Sequence, residues 1–335
     1  MNDKRILLTH GSGGEATREL IHRHLLPVCR NPYLDPLTDA AVLPVMNGQP
    51  VFTTDSYVVQ PAFFPGGDIG QLAVVGTCND LAMMGAIPRW LSVALILEES
   101  LPLERLDHAL RSLRQAADEA GVMIVAGDTK VVERGKADQL FITTAGMGEL
   151  LIPQPLQPSR IQPGDAIVVS NDIGRHGIAV LAGREGIDLN VEVVSDVAHL
   201  SPLVQALLQG GIELHCARDL TRGGLGGALL ELAEQSGLGL QLDEARIPVM
   251  DTVNAACELL GFDPLFIANE GCCVLFLPAD QVAAALHILH DFAAGRWAAS
   301  IGAVTADTTG VRLKSHYGVE RPLSWHTVDQ LPRIC

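Results

Sequence analysis

Hydrophobic and polar residues alternate along this chain in two periods, and these periods predict its secondary structure. Short β-rich runs at 51–59 and 122–126 are typical of strands. Apolar positions at helical spacing predict a helix at 103–120, ended by Gly121. Strands and helices follow each other in the same way to residue 314, so the sequence predicts an α/β (α+β) fold.

A proline-rich segment at 151–158 divides this pattern into two halves. A chain of 335 residues exceeds the usual size of a single hydrophobic core, so two domains are expected. We predict an N-terminal domain at 1–152 and a C-terminal α/β domain at 153–316. Residues 317–335 show neither period and contain two prolines, which predicts a flexible, extended tail ending in Cys335. Taken alone, a terminal cysteine is also consistent with an ordinary frayed end.

The composition excludes several classes of protein. Hydrophobic residues make up 48% of the chain and charged residues 19%, as in a folded globular protein. The net charge of −16 argues against a surface for nucleic acid or anionic membranes. No signal peptide, membrane-spanning run or CxxC pair is present. We therefore expect a cytoplasmic protein with reduced thiols that binds neither nucleic acid nor a membrane.

Two glycine-rich loops precede predicted helices. The first comprises Gly11, Ser12, Gly13 and Gly14 before a helix predicted to end at Pro27, and the second comprises Arg222, Gly223 and Gly224. Backbone N–H groups and the positive end of a helix dipole suit a phosphate group. The first loop fits a dinucleotide fingerprint only loosely, and no Walker A sequence exists, so a nucleotide site would belong to neither the Rossmann nor the P-loop class. Glycines that only form tight turns remain an alternative.

Four aspartates lie at the ends of predicted elements or interrupt apolar ones: Asp39, Asp55, Asp80 and Asp128. Asp39 begins a run, 39–43, that predicts the start of a strand. Asp80 follows Asn79 inside a strongly apolar helix, where a polar pair is either a satisfied core network or a ligand site. Carboxylates combined with substrate phosphates are the ligands that Mg²⁺ prefers. Any one of these aspartates, taken alone, is explained as a solvated residue or a cap, and it is their recurrence that leads us to expect a shared Mg²⁺ site.

A set of motifs, taken together, resembles one known family. The motifs are His10-Gly-Ser-Gly-Gly14, Thr54-Asp55-Ser56, Gly76-Thr-x-Asn79-Asp80-Leu-Ala-x-x-Gly85-Ala-x-Pro88, Gly127-Asp-Thr-Lys130-Val, Asp219-x-Thr-Arg-Gly-Gly224, Asn269-Glu270-Gly271 and the terminal Pro-Arg-Ile-Cys335. From end to end the chain resembles the hydrogenase-maturation carbamoyl dehydratases of the aminoimidazole-ribonucleotide-synthetase-like (PurM-like) superfamily. The interior motifs indicate the superfamily, and the terminal motif indicates this member. Arg175 departs from the pattern, because the family tends to carry an acid there.

The resemblance implies a two-domain PurM-like architecture and a homodimer whose N-terminal sheets form a dimeric barrel. It also implies ATP in a cleft lined by the aspartates and the glycine-rich loops, where Asp39, Asp55, Asp80 and Asp128 are the ligands expected for Mg²⁺. The residues expected to bind ATP are Gly11, Ser12, Gly13, Gly14, Asp55, Asn79, Asp128, Thr129, Arg222, Gly223 and Gly224.

The resemblance further implies a chemical role for the tail. A carbamoyltransferase, HypF, loads a carbamoyl group onto Cys335, which is thus the modified residue. ATP drives dehydration of this group to a thiocyanate, whose cyano group reaches the iron of NiFe hydrogenase through a HypC–HypD scaffold. Phosphoryl transfer to the amide oxygen makes it a leaving group, which requires positioning and charge neutralisation. The expected catalytic residues are Cys335, Lys130, Glu270 and Asp80.

Lys130 and Glu270 have plain alternatives. Lys130 is one of only four lysines and directly follows a predicted buried strand, so we expect it near the phosphates. Glu270 is the candidate base, because burial beside a strand start raises a carboxyl pKa. A surface lysine and a capping acid are the alternatives. Two other functions also stay open: an ATP-dependent synthetase acting on a free small-molecule amide, and a non-catalytic carrier of a thiol-bound group.

Overall fold

The computed structural model describes residues 5–184, 192–315, 317–325, 331 and 333–335. Within these ranges strands and helices alternate as the periodicity predicts. The strands are β1 (Pro50–Tyr57), β2 (Phe63–Phe64), β3 (Gly67–Asp68), β4 (Ala86–Glu98), β5 (Met123–Val132), β6 (Leu140–Leu150), β7 (Asp165–Val169), β8 (Cys216–Asp219), β9 (Gly239–Asp243), β10 (Cys273–Pro278), β11 (Ala299–Thr305), β12 (Gly310–Lys314) and β13 (Glu320–Pro322). The α-helices are α1 (Glu15–Leu20), α2 (Leu26–Cys29), α3 (Ile69–Met83), α4 (Leu103–Ala120), α5 (Arg175–Ala182), α6 (Ser201–Gln209), α7 (Gly224–Ser236), α8 (Asp251–Leu260) and α9 (Val282–His290).

The N-terminal half is built on a four-stranded sheet in the order β1-β6-β4-β5. Strands β4 and β5 are parallel, and the other neighbours are antiparallel. Helix α3 packs on the sheet and α4 packs beside α3. Helix α3 is buried along nearly its whole length because it also contacts α6 and β8 of the C-terminal half. Its polar residues are thereby brought to the junction between the two halves.

The C-terminal half is built on a seven-stranded sheet in the order β13-β12-β9-β11-β7-β10-β8. Its neighbours are antiparallel except for β12 and β9, which are parallel. Alternate residues of β7 face two different cores: Ile167 and Val169 pack with α7, and Val168 packs with α6 and α9. Burial on both faces explains the uninterrupted apolar run of this strand.

The predicted elements differ from the observed ones at several points. Strand β5 continues beyond residue 126 to Val132, so Lys130 lies within the strand, and β13 lies in the segment predicted as a tail and pairs with β12. Helix α1 continues through a π-helical turn at Ile21–Leu25 and past Pro27, which lies in the first turn of α2, where its missing N–H is tolerated. The strand predicted at 39–43 is wrong, because this part of the chain forms no strand. Val42 and Val45 are 91% and 95% exposed there, so no sheet of the same chain lies against this segment. In contrast, α4 has the predicted bounds, and Gly121 ends it in the left-handed conformation.

The two sheets lie on either side of the proline-rich segment: β6 ends at Leu150 and β7 begins at Asp165. On this basis we keep the division near residue 152 as a proposal. Among the described helices, none has both the length and the apolar character that crossing a membrane requires.

Candidate active site at the end of the chain

The last residue of the chain lies in a cavity between the two halves of the protein. The cavity has a volume of about 240 Å³. Strand β1 and helix α3 contribute to it from one side, and the end of β8 and the loop at 269–271 contribute from the other. Its ionisable side chains are Asp55, Tyr57, Asp80, Asp219, Arg222, Glu270 and Cys335.

Asp55 enters this cavity from β1, on the same face of the strand as Tyr57. The Tyr57 hydroxyl donates to Asp55 Oδ2 at 3.2 Å and lies 3.3 Å from Thr77 Oγ1. A Cβ at Gly76 would stand 2.4 Å from the Tyr57 hydroxyl oxygen. Gly76 is therefore the residue that lets Tyr57 approach α3 and hold Asp55.

Asp80 reaches the cavity from the apolar helix α3. Thr53 Oγ1 donates to Asp80 Oδ2 at 2.8 Å. Burial, followed by the negative charges of Asp219 and Asp55, raises the pKa of Asp80. Burial also raises the pKa of Asp219, against the lowering effect of Arg218. These carboxyl groups interact strongly enough that they cannot all ionise independently.

Glu270 lies in the same cavity, on a loop held by its backbone. The N–H groups of Glu270 and Gly271 donate to the two carboxylate oxygens of Asp196, each at 3.1 Å. A Cβ at Gly271 would stand 1.8 Å from the Asp196 carbonyl oxygen, so only glycine fits. Glu270 Oε1 is buried and has no hydrogen-bond partner among the described residues. Burial first, then the charge of Asp219, raises the pKa of Glu270 well above its usual range.

Asn79, which we expected to bind ATP, instead hydrogen-bonds to the main chain of the Glu270 loop and of residues 198–200. Its Nδ2 donates to the carbonyl oxygens of Ala198 at 3.1 Å and Glu270 at 3.3 Å, and its Oδ1 accepts from the Leu200 N–H at 2.8 Å. The side chain is 2% exposed and does not line the cavity. The polar pair in α3 thus divides its roles: Asp80 faces the cavity, and Asn79 joins the polar network of the core.

The second glycine-rich loop brings α7 to the edge of the cavity. Arg222 lines the cavity directly before α7 begins. Gly223 and Gly224 have φ angles of 80° and 60°, which favour glycine. A Cβ at Gly224 would also stand 2.6 Å from the Ile267 carbonyl oxygen. The two glycines therefore make the tight turn that presents Arg222.

The terminal thiol is held in place by the main chain of the last residues. The Val58 N–H donates to Cys335 O at 3.1 Å, and the Gln60 N–H donates to Arg333 O at 3.2 Å. Burial, then the charge of Glu270, raises the pKa of the Cys335 thiol to about 12, so the docked thiol is a protonated, weak nucleophile. The tail expected to be flexible thus has a docked end, while residues 326–330 and 332 lie outside the described residues.

A second cavity, of about 390 Å³, lies under α1 and α2 and is largely apolar. Gly11, Gly13, Asp128, Thr129 and Lys130 line part of its wall, and Ser12 and Gly14 of the first glycine-rich loop are exposed beside it. Lys130 Nζ donates to Asp128 Oδ1 at 3.0 Å, and this bond lowers the pKa of Asp128. Lys130 and Glu270, expected in one cleft, therefore lie in different cavities of the chain.

The four aspartates expected to share Mg²⁺ do not meet within the chain. Asp55 and Asp80 line the cavity of the thiol, Asp128 lines the second cavity, and Asp39 is exposed in the segment without strands. No group of three or more His, Cys, Asp or Glu in the described part of the chain is arranged to hold a metal ion. The physical reason is the sheet order, because β1 and β5, which carry Asp55 and Asp128, are its opposite edges.

Sequence reasoning alone misses three residues around the thiol: Asp219, Tyr57 and His176. Asp219 opens the loop motif before Arg222, so its signal is present in the sequence. Tyr57 and His176 have the pattern of core residues, and only the fold shows that one holds Asp55 and the other contacts the tail.

The sequence matches two family models. The N-terminal domain of AIR synthase related proteins matches residues 37–150, and their C-terminal domain matches residues 162–314. These matches confirm the predicted two-domain PurM-like architecture.

Curated relatives match almost the whole chain. Carbamoyl dehydratase HypE of Azotobacter vinelandii is 47% identical over 329 residues, which are 98% of this chain and 96% of the relative. Carbamoyl dehydratase HypE of Escherichia coli K12 is 45% identical over 336 residues, 98% of this chain and 99% of the relative.

Solved structures agree with this result. A crystal structure of hydrogenase maturation protein HypE in complex with ATP has a TM-score of 0.94 and 44% identity, and the match covers 98% of this chain and 99% of the other. A chain of a HypE–HypF complex has a TM-score of 0.80 and 40% identity, covering 93% and 99%. Thiamine monophosphate kinase of Aquifex aeolicus, at 17% identity and a TM-score of 0.60 over 83% and 91% of the two chains, shares the fold alone.

Proposed function

The chain belongs to the AIR synthase related family and, within it, to the HypE carbamoyl dehydratases, and from this premise we propose that it dehydrates a carbamoyl group carried on its own Cys335. ATP is the second substrate, and the product is a thiocyanate that supplies the cyanide ligand of iron in NiFe hydrogenase. The observation that carries the proposal is the position of the Cys335 thiol, in one cavity with Glu270 and further carboxyl groups.

The proposed reaction removes the oxygen of a thiocarbamate as phosphate. The terminal phosphoryl group of ATP moves to the carbamoyl oxygen and ADP leaves. Two protons then leave the nitrogen, one as the C–N bond gains double-bond character and one as the C–O bond breaks. Glu270 is the base for these protons, because burial and neighbouring carboxylates raise its pKa and so make its carboxylate a stronger base.

The apolar cavity under α1 and α2 is proposed to hold the nucleoside of ATP. Its volume of about 390 Å³ and its apolar side chains suit a purine. The glycines of the exposed loop at 11–14 let phosphates approach the main chain beside this cavity, where the N–H groups of Ser12 and Gly13 donate to Thr9 O and Thr17 Oγ1. Lys130 is placed for the phosphates from the same wall. The ATP in the crystal structure of a HypE relative supports ATP as the nucleotide.

A homodimer would bring the two cavities together. Helix α3 packs on one face of the N-terminal sheet. Two large apolar residues of the same sheet, Phe52 of β1 and Ile96 of β4, are 65% and 38% exposed in a single chain. Strands β1 and β5 are the edges of this sheet. In a two-fold barrel the β1 edge of one subunit lies beside the β5 edge of the other, so the partner's Lys130 would approach Asp55.

Mg²⁺ fits this site as a companion of the phosphates. Mg²⁺ is commonly held by one or two carboxylates together with substrate phosphates, and Asp55 and Asp80 provide two adjacent carboxylates in the thiol cavity. Bound there, it would neutralise phosphate charge during transfer.

Two partners complete the proposal. A HypF carbamoyltransferase loads Cys335, which the HypE–HypF complex of relatives supports, and a HypC–HypD complex receives the cyano group. Loading by a separate enzyme requires that the docked thiol leaves its cavity. A cytoplasmic location stays a prediction.

The test is the mass of the C-terminal peptide. The chain is incubated with HypF, carbamoyl phosphate and ATP, and we expect a carbamoyl adduct on Cys335 that loses one water in an ATP-dependent step. The matched control is Cys335→Ala, in which the fold and ATP binding persist and no adduct forms. An adduct that persists in Cys335→Ala would overturn the proposal. A carbamoyl adduct that ATP never converts would favour a carrier, and ATP-dependent conversion of a free amide would favour a synthetase.

A further inference from the structure

The end of the chain is recognised through its main chain. A backbone oxygen of each of the last three residues accepts a hydrogen bond: the Arg333 carbonyl from Gln60 N–H, the Ile334 carbonyl from the ring of His176, and the Cys335 carboxylate from Val58 N–H. The first and last of these bonds pair the end of the chain in the antiparallel sense with residues 58–60, which directly follow β1. The bond to the Ile334 carbonyl points the opposite way, toward α5. This is the pattern by which a peptide adds to the edge of a sheet.

His176 is held by its other ring nitrogen as a hydrogen-bond donor to the tail. The ring is fully buried, its Nε2 lies 2.8 Å from Ile334 O, and its Nδ1 lies 2.8 Å from Ser195 Oγ. A carbonyl oxygen can only accept, so Nε2 carries the proton and Nδ1 accepts from the Ser195 hydroxyl. The Val197 N–H donates to Ser195 Oγ at 3.1 Å, which fixes that hydroxyl. Burial lowers the pKa of His176 to about 4, so the ring is neutral near pH 7.

The side chains beside this backbone add apolar contact and a surface ion pair. Ile334 and Leu331 are each 7% exposed. A Cβ at Gly177 would stand 3.0 Å from Leu331 Cδ1, so the absence of a side chain there leaves room for Leu331. Arg333 pairs with Asp138 and donates to Val58 O at 3.1 Å.

From these contacts we propose that the cleft between residues 58–60 and α5 is a recognition site for the terminal tripeptide, and that His176 is the positioning residue that sets its register. A shift of one residue would turn alternate side chains to the opposite side and withdraw the thiol from Glu270. The register of the backbone pairing in the cleft thereby fixes the position of the Cys335 sulfur, the atom that carries the substrate, within the cavity. This inference rests on the proposed function only for the use made of the docked thiol; docking itself is measured without ATP or HypF.

The first test measures how fast iodoacetamide alkylates Cys335 in the full chain, with the C-terminal peptide quantified by mass spectrometry. His176→Leu should be alkylated about tenfold to a hundredfold faster than the wild type, because a buried carbonyl left without its donor favours the undocked tail by this order. His176→Gln, whose amide can still donate to Ile334 O, should remain close to the wild-type rate.

The matched control is His215→Leu. His215 is also buried, it bonds to Asp165 at 2.8 Å, and its hydrogen-bond partners among the described residues do not include the tail. This variant should lose stability on thermal unfolding while Cys335 keeps its wild-type alkylation rate. A folded His176→Leu chain with wild-type alkylation would overturn the proposal, as would a His176→Gln chain as fast as His176→Leu.

A second measurement needs no variant of His176. In the wild-type chain with ¹⁵N-labelled histidine, NMR should show His176 as the Nε2–H tautomer with an exchange-protected proton. The Nδ1–H tautomer would contradict the proposal even if His176→Leu fails to fold.

Discussion

The two cavities of this protein treat their carboxylates in opposite ways. In the thiol cavity, burial and like charges raise the pKa of Asp80, Asp219 and Glu270. In the cavity under α1 and α2, the hydrogen bond from Lys130 lowers the pKa of Asp128. One cavity has an excess of negative charge and the other has a lysine beside its carboxylate. The difference teaches that the thiol cavity, the proposed site of the reaction, is short of positive charge in a single chain.

The missing charge has two sources in the proposed function. ATP brings its own cation to the phosphates, and a second copy of the chain brings Lys130 across the β1 and β5 edges. Both sources would neutralise the cluster around Glu270 when the nucleotide arrives, which is when a base is needed.

The largest expected effect follows from removing the base. Glu270→Gln should trap the carbamoyl form of Cys335 and slow its conversion by about 10²–10⁴-fold, the usual contribution of a positioned general base. Single-turnover mass spectrometry of the C-terminal peptide measures this rate. Loading by HypF should be unchanged, because it takes place on the released tail. Conversion at the wild-type rate would remove Glu270 from the mechanism.

Lys130→Ala gives the next largest effect and tests how the two cavities cooperate. We expect a loss of about 10²–10³-fold, since an amine that neutralises phosphate charge in the transition state acts at close range. Mixing Lys130→Ala chains with Glu270→Gln chains in equal amounts should then restore up to about a quarter of the wild-type activity, because about half of the dimers are heterodimers and each heterodimer contains one intact site out of two. If both residues act within one chain, the mixture stays inactive.

The sequence anticipates the fold better than the site. The bounds of α4 follow from its apolar spacing and from Gly121, because local signals determine them. The motif residues Asp55, Asp80, Arg222 and Glu270 do line one cavity, although they come from distant segments. Within one chain, Asp39 and Asp128 do not meet the other aspartates. Sequence spacing could not predict this separation of Asp128, because it depends on which strands form the edges of the sheet.

The role of His176 has a different reason for escaping prediction. An apolar helix with one histidine resembles core, and nothing local relates it to a carbonyl 158 residues further along the chain. Asn79 and Asp80 show the same limit, because adjacent residues of one helix point to different partners. Spacing predicts which face a residue occupies, and tertiary contacts decide whether that face is a site.

A smaller effect, on the resting position of the thiol, is expected from pH. With the tail docked, His176 has a pKa of about 4, while a histidine that the departing tail leaves open to water has a pKa of about 6.5. The docked state therefore binds fewer protons, so acidification through this interval favours release. From pH 7 to about pH 5 we expect the accessible fraction of Cys335 to rise several-fold. The difference between the pKa of His176 in the docked and the undocked states sets the largest possible rise. A pyridyl disulfide that reacts in acid measures it, and His176→Gln, which lacks this titration, should show a flatter profile. Equal profiles in the two proteins would exclude His176 as the titrating group.

The smallest effect should come from the apolar cavity, and it distinguishes nucleotide binding from chemistry. Leu26 lines the cavity with its side chain half-buried. Leu26→Ala should raise the KM for ATP about three- to tenfold through lost apolar contact, with kcat nearly unchanged at saturating ATP. Leu259→Ala, at a leucine that is 72% exposed and absent from the cavity walls, is the matched control and should change neither constant. A fall in kcat with constant KM would instead place Leu26 among the groups that act on the transition state, and would contradict a purely binding role for this cavity. The expected KM effect would leave the charged cavity as the place of chemistry and the apolar cavity as the place of nucleotide affinity.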